Sequence, residues 1–313
     1  MNAEIGTALF RFLVFPGLLF TAAAGLAVSW VDRKVTARIQ YRVGPPLLQP
    51  LYDFVKLLGK ETIVPARGSR VAFLGAPLIG LAGVTLAATL IGSAALEPTA
   101  GFTGDIIVVL YLLVMPSLAV ILGGIASGNP LASVGASREM KLLLSYELPF
   151  ILVMLVPIIQ SGGELSLGAL LAWQAENGSF AWSPSGVLAL LAVIPCLQAK
   201  LALVPFDQAE AETEIMGGAL IEYSGAPLGI FKLTKAMMLL VAPMFLVVVL
   251  WGGFGGSVGS VLLGVGKYLV LLVAVVLLRN TNPRLRIEHA MKFFWGPVSG
   301  LAVVAVILAL LGV

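Results

Sequence analysis

The strongest constraint on this chain is a series of apolar stretches of about 20 residues, the length a helix needs to cross the hydrocarbon of a bilayer. The windows are 9–31, 71–96, 106–126, 142–160, 187–204, 227–251, 261–278 and 293–311. In lipid each backbone N–H and C=O must find its partner within the protein, so such windows become helices. The sequence therefore predicts an all-α, polytopic membrane bundle of about eight spans. It reads as a single membrane domain over residues 1–313. Composition agrees, with 59% hydrophobic and 11% charged residues, against roughly 25% charged in a soluble domain. The first window has no small-residue cleavage site behind it and reads as an uncleaved span. No internal repeat of 20–50 residues is visible, which gives an inverted-repeat transporter no support.

Cys196 is the sole cysteine and His289 the sole histidine. That excludes a disulfide framework, and no metal or cofactor site is expected on this chain. The pI near 9.0 reflects loop charges, not nucleic-acid binding. The loops alternate in character. Arg33, Lys34, Arg38, Arg42, Lys56, Lys60, Arg67 and Arg70 follow the first window, Arg138 and Lys141 the third, and Arg279, Arg284, Arg286 and Lys292 the seventh. The opposite loops carry mainly acids: Glu97, Asp105, Glu164 and Glu176. The positive-inside rule puts the basic loops in the cytoplasm and, with an even span count, both termini outside.

One segment breaks this pattern. Residues 205–225 fall on the basic side, yet hold no Lys or Arg. They carry Asp207, Glu210, Glu212, Glu214 and Glu222, five of the 16 acidic residues. If 208–216 is helical, Asp207, Glu210 and Glu214 share one face and Glu212 points elsewhere. Gly217-Gly218 and Gly225 flank this acidic hinge. A partly buried carboxylate cluster has coupled titrations and can hold and release protons. Glu147 sits in the fourth window, with Arg138 and Lys141 near it in sequence, while Lys232 and Lys235 open the sixth. Intramembrane ionisable groups are functional candidates. Lys267 enters the seventh window and reads as a snorkelling side chain. Residues 46–60 place Leu47, Leu51, Phe54, Val55 and Leu58 at helical spacing. The segment is too short and charged to span. It reads as an interfacial amphipathic helix or as a surface helix packed on the bundle.

Four separated motifs then point one way: Asp32-Arg33 with Gln40-Tyr41-Arg42-Val43-Gly44-Pro45; Gly135-Ala136-Ser137-Arg138 with Ser145-Tyr146-Glu147; Pro205-Phe206-Asp207 through Glu222-Tyr223-Ser224-Gly225; and Asn282-Pro283-Arg284-Leu285-Arg286. Together they resemble the heel subunit of respiratory complex I, NADH dehydrogenase subunit 1, and its relatives in membrane-bound [NiFe] hydrogenases. The segment after Gly44-Pro45 is shorter than in the complex I proteins, and Lys232 and Lys235 replace an aromatic and a Glu. These departures are similar to the Ech-type energy-converting hydrogenases.

The resemblance implies a non-redox subunit of a ferredoxin-linked hydrogenase complex in the cell inner membrane, coupling hydrogen evolution or uptake to H⁺ or Na⁺ translocation. Its partners would be the hydrogenase large and small subunits, an iron–sulfur electron-transfer subunit, an antiporter-like membrane subunit, membrane lipid, and ferredoxin through the complex. The [NiFe] centre and iron–sulfur clusters would lie in partner subunits. Ion translocation would run through Glu147, Asp207, Glu210, Glu212, Glu214, Glu222, Lys232 and Lys235. Arg33, Arg42, Arg138, Lys141, Arg284 and Arg286 would serve docking. A quinone-module subunit of complex I and a passive membrane anchor are the alternatives.

Overall fold

A computed structural model describes residues 2–255 and 257–313, with side chains described at all of these except 2–4, 100 and 213. In chain order the helices are α1 (Asn2–Leu13), α2 (Leu18–Ile39), α3 (Gln49–Leu58), α4 (Arg70–Leu96), α5 (Asp105–Leu112), α6 (Met115–Ala126), α7 (Pro130–Gln160), α8 (Leu167–Asn177), α9 (Pro184–Lys200), α10 (Glu212–Ile215), α11 (Gly225–Leu250), α12 (Val258–Thr281), α13 (Ile287–Phe293) and α14 (Ser299–Leu310). Among the described residues there is no strand. Among the described residues seven helical segments are long and apolar enough to cross a membrane, and α9 is a shorter apolar one. This is the all-α membrane bundle that the apolar windows predict.

Helix α11 is the axis of the bundle, with most of its side chains buried. It packs on α2 and α4; α4 packs on α6, α6 on α7, and α7 on α9 and α14. Two windows are interrupted. The first breaks over residues 14–17, around Pro16, and the third at Leu113-Val114, just before Pro116. Proline lacks the N–H that would continue the ladder. Pro297 lies within a π-helical turn, Phe294–Val298, that joins α13 to α14.

Two boundaries and one additional helix differ from the sequence reading. Helix α7 starts at Pro130, well before the fourth apolar window. Asn129 caps it, its side chain accepting from the Leu131 N–H at 2.8 Å, with Pro130 in the first turn. Helix α9 stops at Lys200, and the chain turns before Pro205. Helix α8, with no counterpart among the apolar windows, is fixed by the buried Asp105, whose carboxylate accepts from the Leu167 N–H at 2.7 Å.

The segment 46–60 does form a helix, α3, but its apolar positions divide. Phe54 and Leu57 pack against Gly229 of α11, while Leu51, Tyr52, Val55 and Leu58 are exposed. The basic loops and the acidic segment gather at one end of the bundle. Ser224 accepts from the Ile63 N–H, Gln40 donates to Asn280, and Ser69 N–H donates to Ala126.

The acidic segment lies flat on α7, and Gly135 makes room for it. A Cβ built on Gly135 would stand 2.4 Å from the Ala219 nitrogen and 2.7 Å from the Ala209 oxygen, both backbone atoms. Gly135→Ala would gain about 0.5–1 kcal/mol of helix preference, but the overpacking costs about 1–3 kcal/mol. The expected net result is a lower thermal midpoint for the complex and faster protease cleavage within 207–220. An unchanged cleavage rate would show that the segment is not seated on α7.

Candidate functional site

The acidic hinge is not one helix. A 3-10 turn, Gln208–Glu210, ends at Ala211 (φ −53°, ψ 92°), and the short α10 ends at Met216, which is left-handed at φ 53°. Asp207, Glu210 and Glu214 therefore do not share a face. Each is drawn to a cation on a different element. Arg284 holds Asp207 through two nitrogens at 2.8 Å each, Arg138 of α7 holds Glu214 at 2.6 Å, and Lys235 of α11 holds Glu210. Glu222 accepts from Asn129, so the residue that caps α7 also ties down the end of the hinge. Glu212 is exposed. Gly218 has a positive φ of 52°, and a Cβ there would lie 2.0 Å from the Ala209 oxygen. The glycines fold the hinge back on itself as well as loosening it.

Beneath the hinge lies a second pair. The Lys200 Nζ donates to Glu147 at 2.9 Å, and the lysine side chain is wholly buried. Its ammonium also stands 4.5 Å from the Phe150 ring centroid and 5.3 Å from that of Tyr146, where the negative faces of the rings favour a cation. The partner of Glu147 is thus Lys200, at the end of α9, and not Arg138 or Lys141. Lys141 is exposed, and Arg138 is spent on the hinge.

Lys232 and Lys235 diverge, although they lie three residues apart. Lys235 faces the hinge, whereas Lys232 is exposed beside a small cavity lined by Arg33, Asp53 and Leu57. There Arg33 donates to Asp53 at 2.8 Å, tying α2 to α3. That donation, helped by Gln49, holds the Asp53 carboxyl below its usual value. Arg42 and Arg286 are exposed. Asp32 of α2 pairs with Arg279 of α12 at 2.6 Å. Lys267 donates to the carbonyl of Trp251, the residue that ends α11.

Two buried ionisable residues escape the sequence reading. Lys200 lies unnoticed inside the 187–204 window. Glu139 appears as part of a basic loop, yet it is 2% exposed on α7. Both, with Glu210, Lys235, Ser117 and Thr234, line one cavity of about 40 Å³ between α6, α7, α9, α11 and the hinge. The signal for Glu139 was its register: Ala136, Glu139, Leu143, Tyr146 and Phe150 recur at helical spacing and are all buried.

Cys196 is buried and donates to the Ala192 carbonyl. Among the described residues no group of three or more His, Cys, Asp or Glu side chains converges. These residues do not fit a nickel–iron centre or an iron–sulfur cluster. What the arrangement can do is exchange protons and ion-pair partners.

The chain matches the NADH dehydrogenase family profile over residues 11–310. It is 33% identical over 300 residues to an NADH-quinone oxidoreductase subunit of Syntrophotalea carbinolica, covering 89% of this chain and 88% of that one. It is 31% identical over 337 residues to NADH-quinone oxidoreductase subunit 8 of Rhodothermus marinus, covering 98% and 97%. Among solved structures it resembles a chain of the membrane-bound sulfane sulfur reductase, an archaeal respiratory membrane complex. The TM-score is 0.85 at 26% identity, covering 99% of this chain and 100% of that one.

The Lys200–Glu147 pair should respond asymmetrically to substitution. Glu147→Gln leaves a wholly buried ammonium without its counter-charge, a loss of about 3–5 kcal/mol. Lys200→Met leaves Glu147 without its partner, but that side chain is 19% exposed whereas Lys200 is wholly buried. The expected order of thermal midpoints for the solubilised complex is Glu147→Gln lowest, Lys200→Met higher, and the double variant above the Glu147→Gln single. Additive losses in the double variant would show that the two side chains are not coupled.

Proposed function

This chain belongs to the NADH dehydrogenase subunit 1 family and is a membrane subunit of a complex I-like respiratory complex, and on that premise we propose that it serves the energy-converting [NiFe] hydrogenase branch. In this reading it anchors a peripheral arm that exchanges electrons between ferredoxin and hydrogen, and it couples that exchange to ion translocation. The nickel–iron centre and iron–sulfur clusters belong to the partner subunits. The chain's own work is mechanical and electrostatic.

The observation that carries the coupling is the bridge from hinge to membrane. Glu210 of the hinge is bonded to Lys235 of α11, and both line the cavity that Lys200, the partner of Glu147, also lines. A change of charge in the arm above the hinge acts first on Asp207 and Glu214, which Arg284 and Arg138 hold. Two charges 4 Å apart interact by about 4 kcal/mol at an effective dielectric constant of 20. That is enough to make an ion pair exchange its partners. The hinge then shifts between two arrangements, and a proton or ion passes laterally through Glu147, Lys200 and Lys235 to an antiporter-like neighbour. Glu212 and Glu222 belong to the hinge, and Lys232 to the α2–α3 side. Exposed Arg42, Lys141 and Arg286 belong to the docking face.

The hydrogenase assignment is supported by the short segment after Pro45 and by the lysines at 232 and 235. The similar solved chain also belongs to a complex named for sulfane sulfur, so the fold serves acceptors other than quinone. The second reading is a quinone-reducing complex, favoured by the similarity to NADH-quinone oxidoreductases.

Purification of the intact complex separates the two. The hydrogenase reading expects a co-purifying subunit with paired Cys-x-x-Cys motifs and ferredoxin-driven hydrogen evolution. Quinone-dependent turnover without hydrogen would replace it with the second reading. In vesicles, Glu214→Gln and Glu210→Gln are each expected to lower the ions moved per hydrogen formed. Unchanged ratios would leave the chain a passive anchor.

A further inference from the structure

Glu139 lies outside every motif that led to the reading above. Its neighbours are unusual for a buried carboxylate. The Oε2 atom has no hydrogen-bond partner among the described residues, and the side chain opens onto the 40 Å³ cavity. Two ammonium groups share that cavity, but each is already engaged: Lys200 by Glu147 and Lys235 by Glu210. Three carboxylates thus surround two lysines. The groups facing Glu139 are Ser117 from α6, Tyr146 from its own helix, Lys200 from α9, Glu210 from the hinge, and Thr234 and Lys235 from α11.

A buried carboxylate that keeps its charge with only Ser117 beside it and one oxygen unpaired is strongly disfavoured. Two changes relieve that cost. Glu139 takes a proton, or it draws a lysine away from Glu147 or Glu210. The two are mutually exclusive for a given lysine, so protonation of Glu139 and the pairing of Lys235 with the hinge are linked. A water occupies about 10–15 Å³ of such space, so the cavity has room for about three, enough to bridge Glu139 to either lysine.

We propose that Glu139 is the proton-holding station between the hinge and the Glu147–Lys200 pair, loaded when Lys235 is bound to Glu210 and unloaded when Lys235 is released. On loading, a proton delivered through cavity water bonds to Oε2 and the charge of Glu139 goes from −1 to 0. On release, Lys235 turns to Glu139 and the proton leaves by the same waters to the carboxylate of Glu147, the basic member of the pair with Lys200. No bond other than O–H changes, and no electron moves. The chemistry selects H⁺ over Na⁺. A sodium ion needs a shell of oxygen ligands and would stand against two ammonium groups, whereas a proton needs one carboxylate oxygen and a water.

This deepens the ion-coupling reading above and rests on it. The test uses the intact complex in vesicles, with whichever electron acceptor supports turnover. Protons moved per electron pair, uptake of radiolabelled sodium, and the redox-induced infrared difference spectrum are measured for the native complex, Glu139→Gln and Glu139→Asp. The expected result is a protonated-carboxyl band that vanishes in Glu139→Gln and shifts in Glu139→Asp. Protons per electron pair should fall several-fold in Glu139→Gln and recover in part in Glu139→Asp. A band that persists in Glu139→Gln, an unchanged proton ratio, or sodium moving in place of protons overturns the proposal. If Glu139→Gln does not assemble, an unshifted band in Glu139→Asp overturns it. Failure of the hinge reading is separate: it appears as full coupling in Glu214→Gln and Glu210→Gln, whatever the Glu139 band does.

Discussion

The structure depends on keeping charge paired where water is scarce. Lys200 is an ammonium with no exposed side-chain surface. It is tolerable there only because Glu147 accepts from it and two aromatic rings lie beside it. The requirement propagates. Lys200 ends α9 close under the hinge, α7 must carry Glu147 at the matching depth, and α7 must be long enough for Arg138 to reach Glu214. One helix therefore spans from the membrane interior to the acidic surface, and both ion pairs are mounted on it.

The hinge follows the same logic with more freedom. Its carboxylates are partly exposed, so each pair contributes little to stability on its own; exposed ion pairs give about 0–1 kcal/mol. What they provide is position. Asp207, Glu210 and Glu214 draw one short segment toward three different elements, and Gly135 lets the backbone settle on α7. The surface layer thus holds weak, replaceable contacts above a strong, buried pair.

Much of the fold was legible because lipid leaves few choices. Long apolar runs become helices, and seven long segments plus α9 appear where those runs lie. Boundaries were less legible, because a window average sees apolarity and not burial. Helix α7 is the instructive case. Arg138, Glu139 and Lys141 lowered the local average, so the span seemed to begin after them. The Asn129-Pro130 pair, a capping residue followed by proline, marked the true start. Reading those charges as loop hid Glu139, although its spacing from Leu143, Tyr146 and Phe150 placed it on the buried stripe.

By itself, the sequence determined that the chain is a helical membrane bundle, which loops carry its cations, and that an acidic segment lies among them. Those properties depend on side-chain chemistry counted along the chain. Only the tertiary structure decided the partners: that Glu147 answers to Lys200, that Lys235 and Lys232 serve different neighbours, and that Glu139 faces a shared cavity. The physical reason is range. An ion pair acts over a few ångströms of space, and here it joins residues 20 to 247 positions apart in sequence, a separation that no local pattern records.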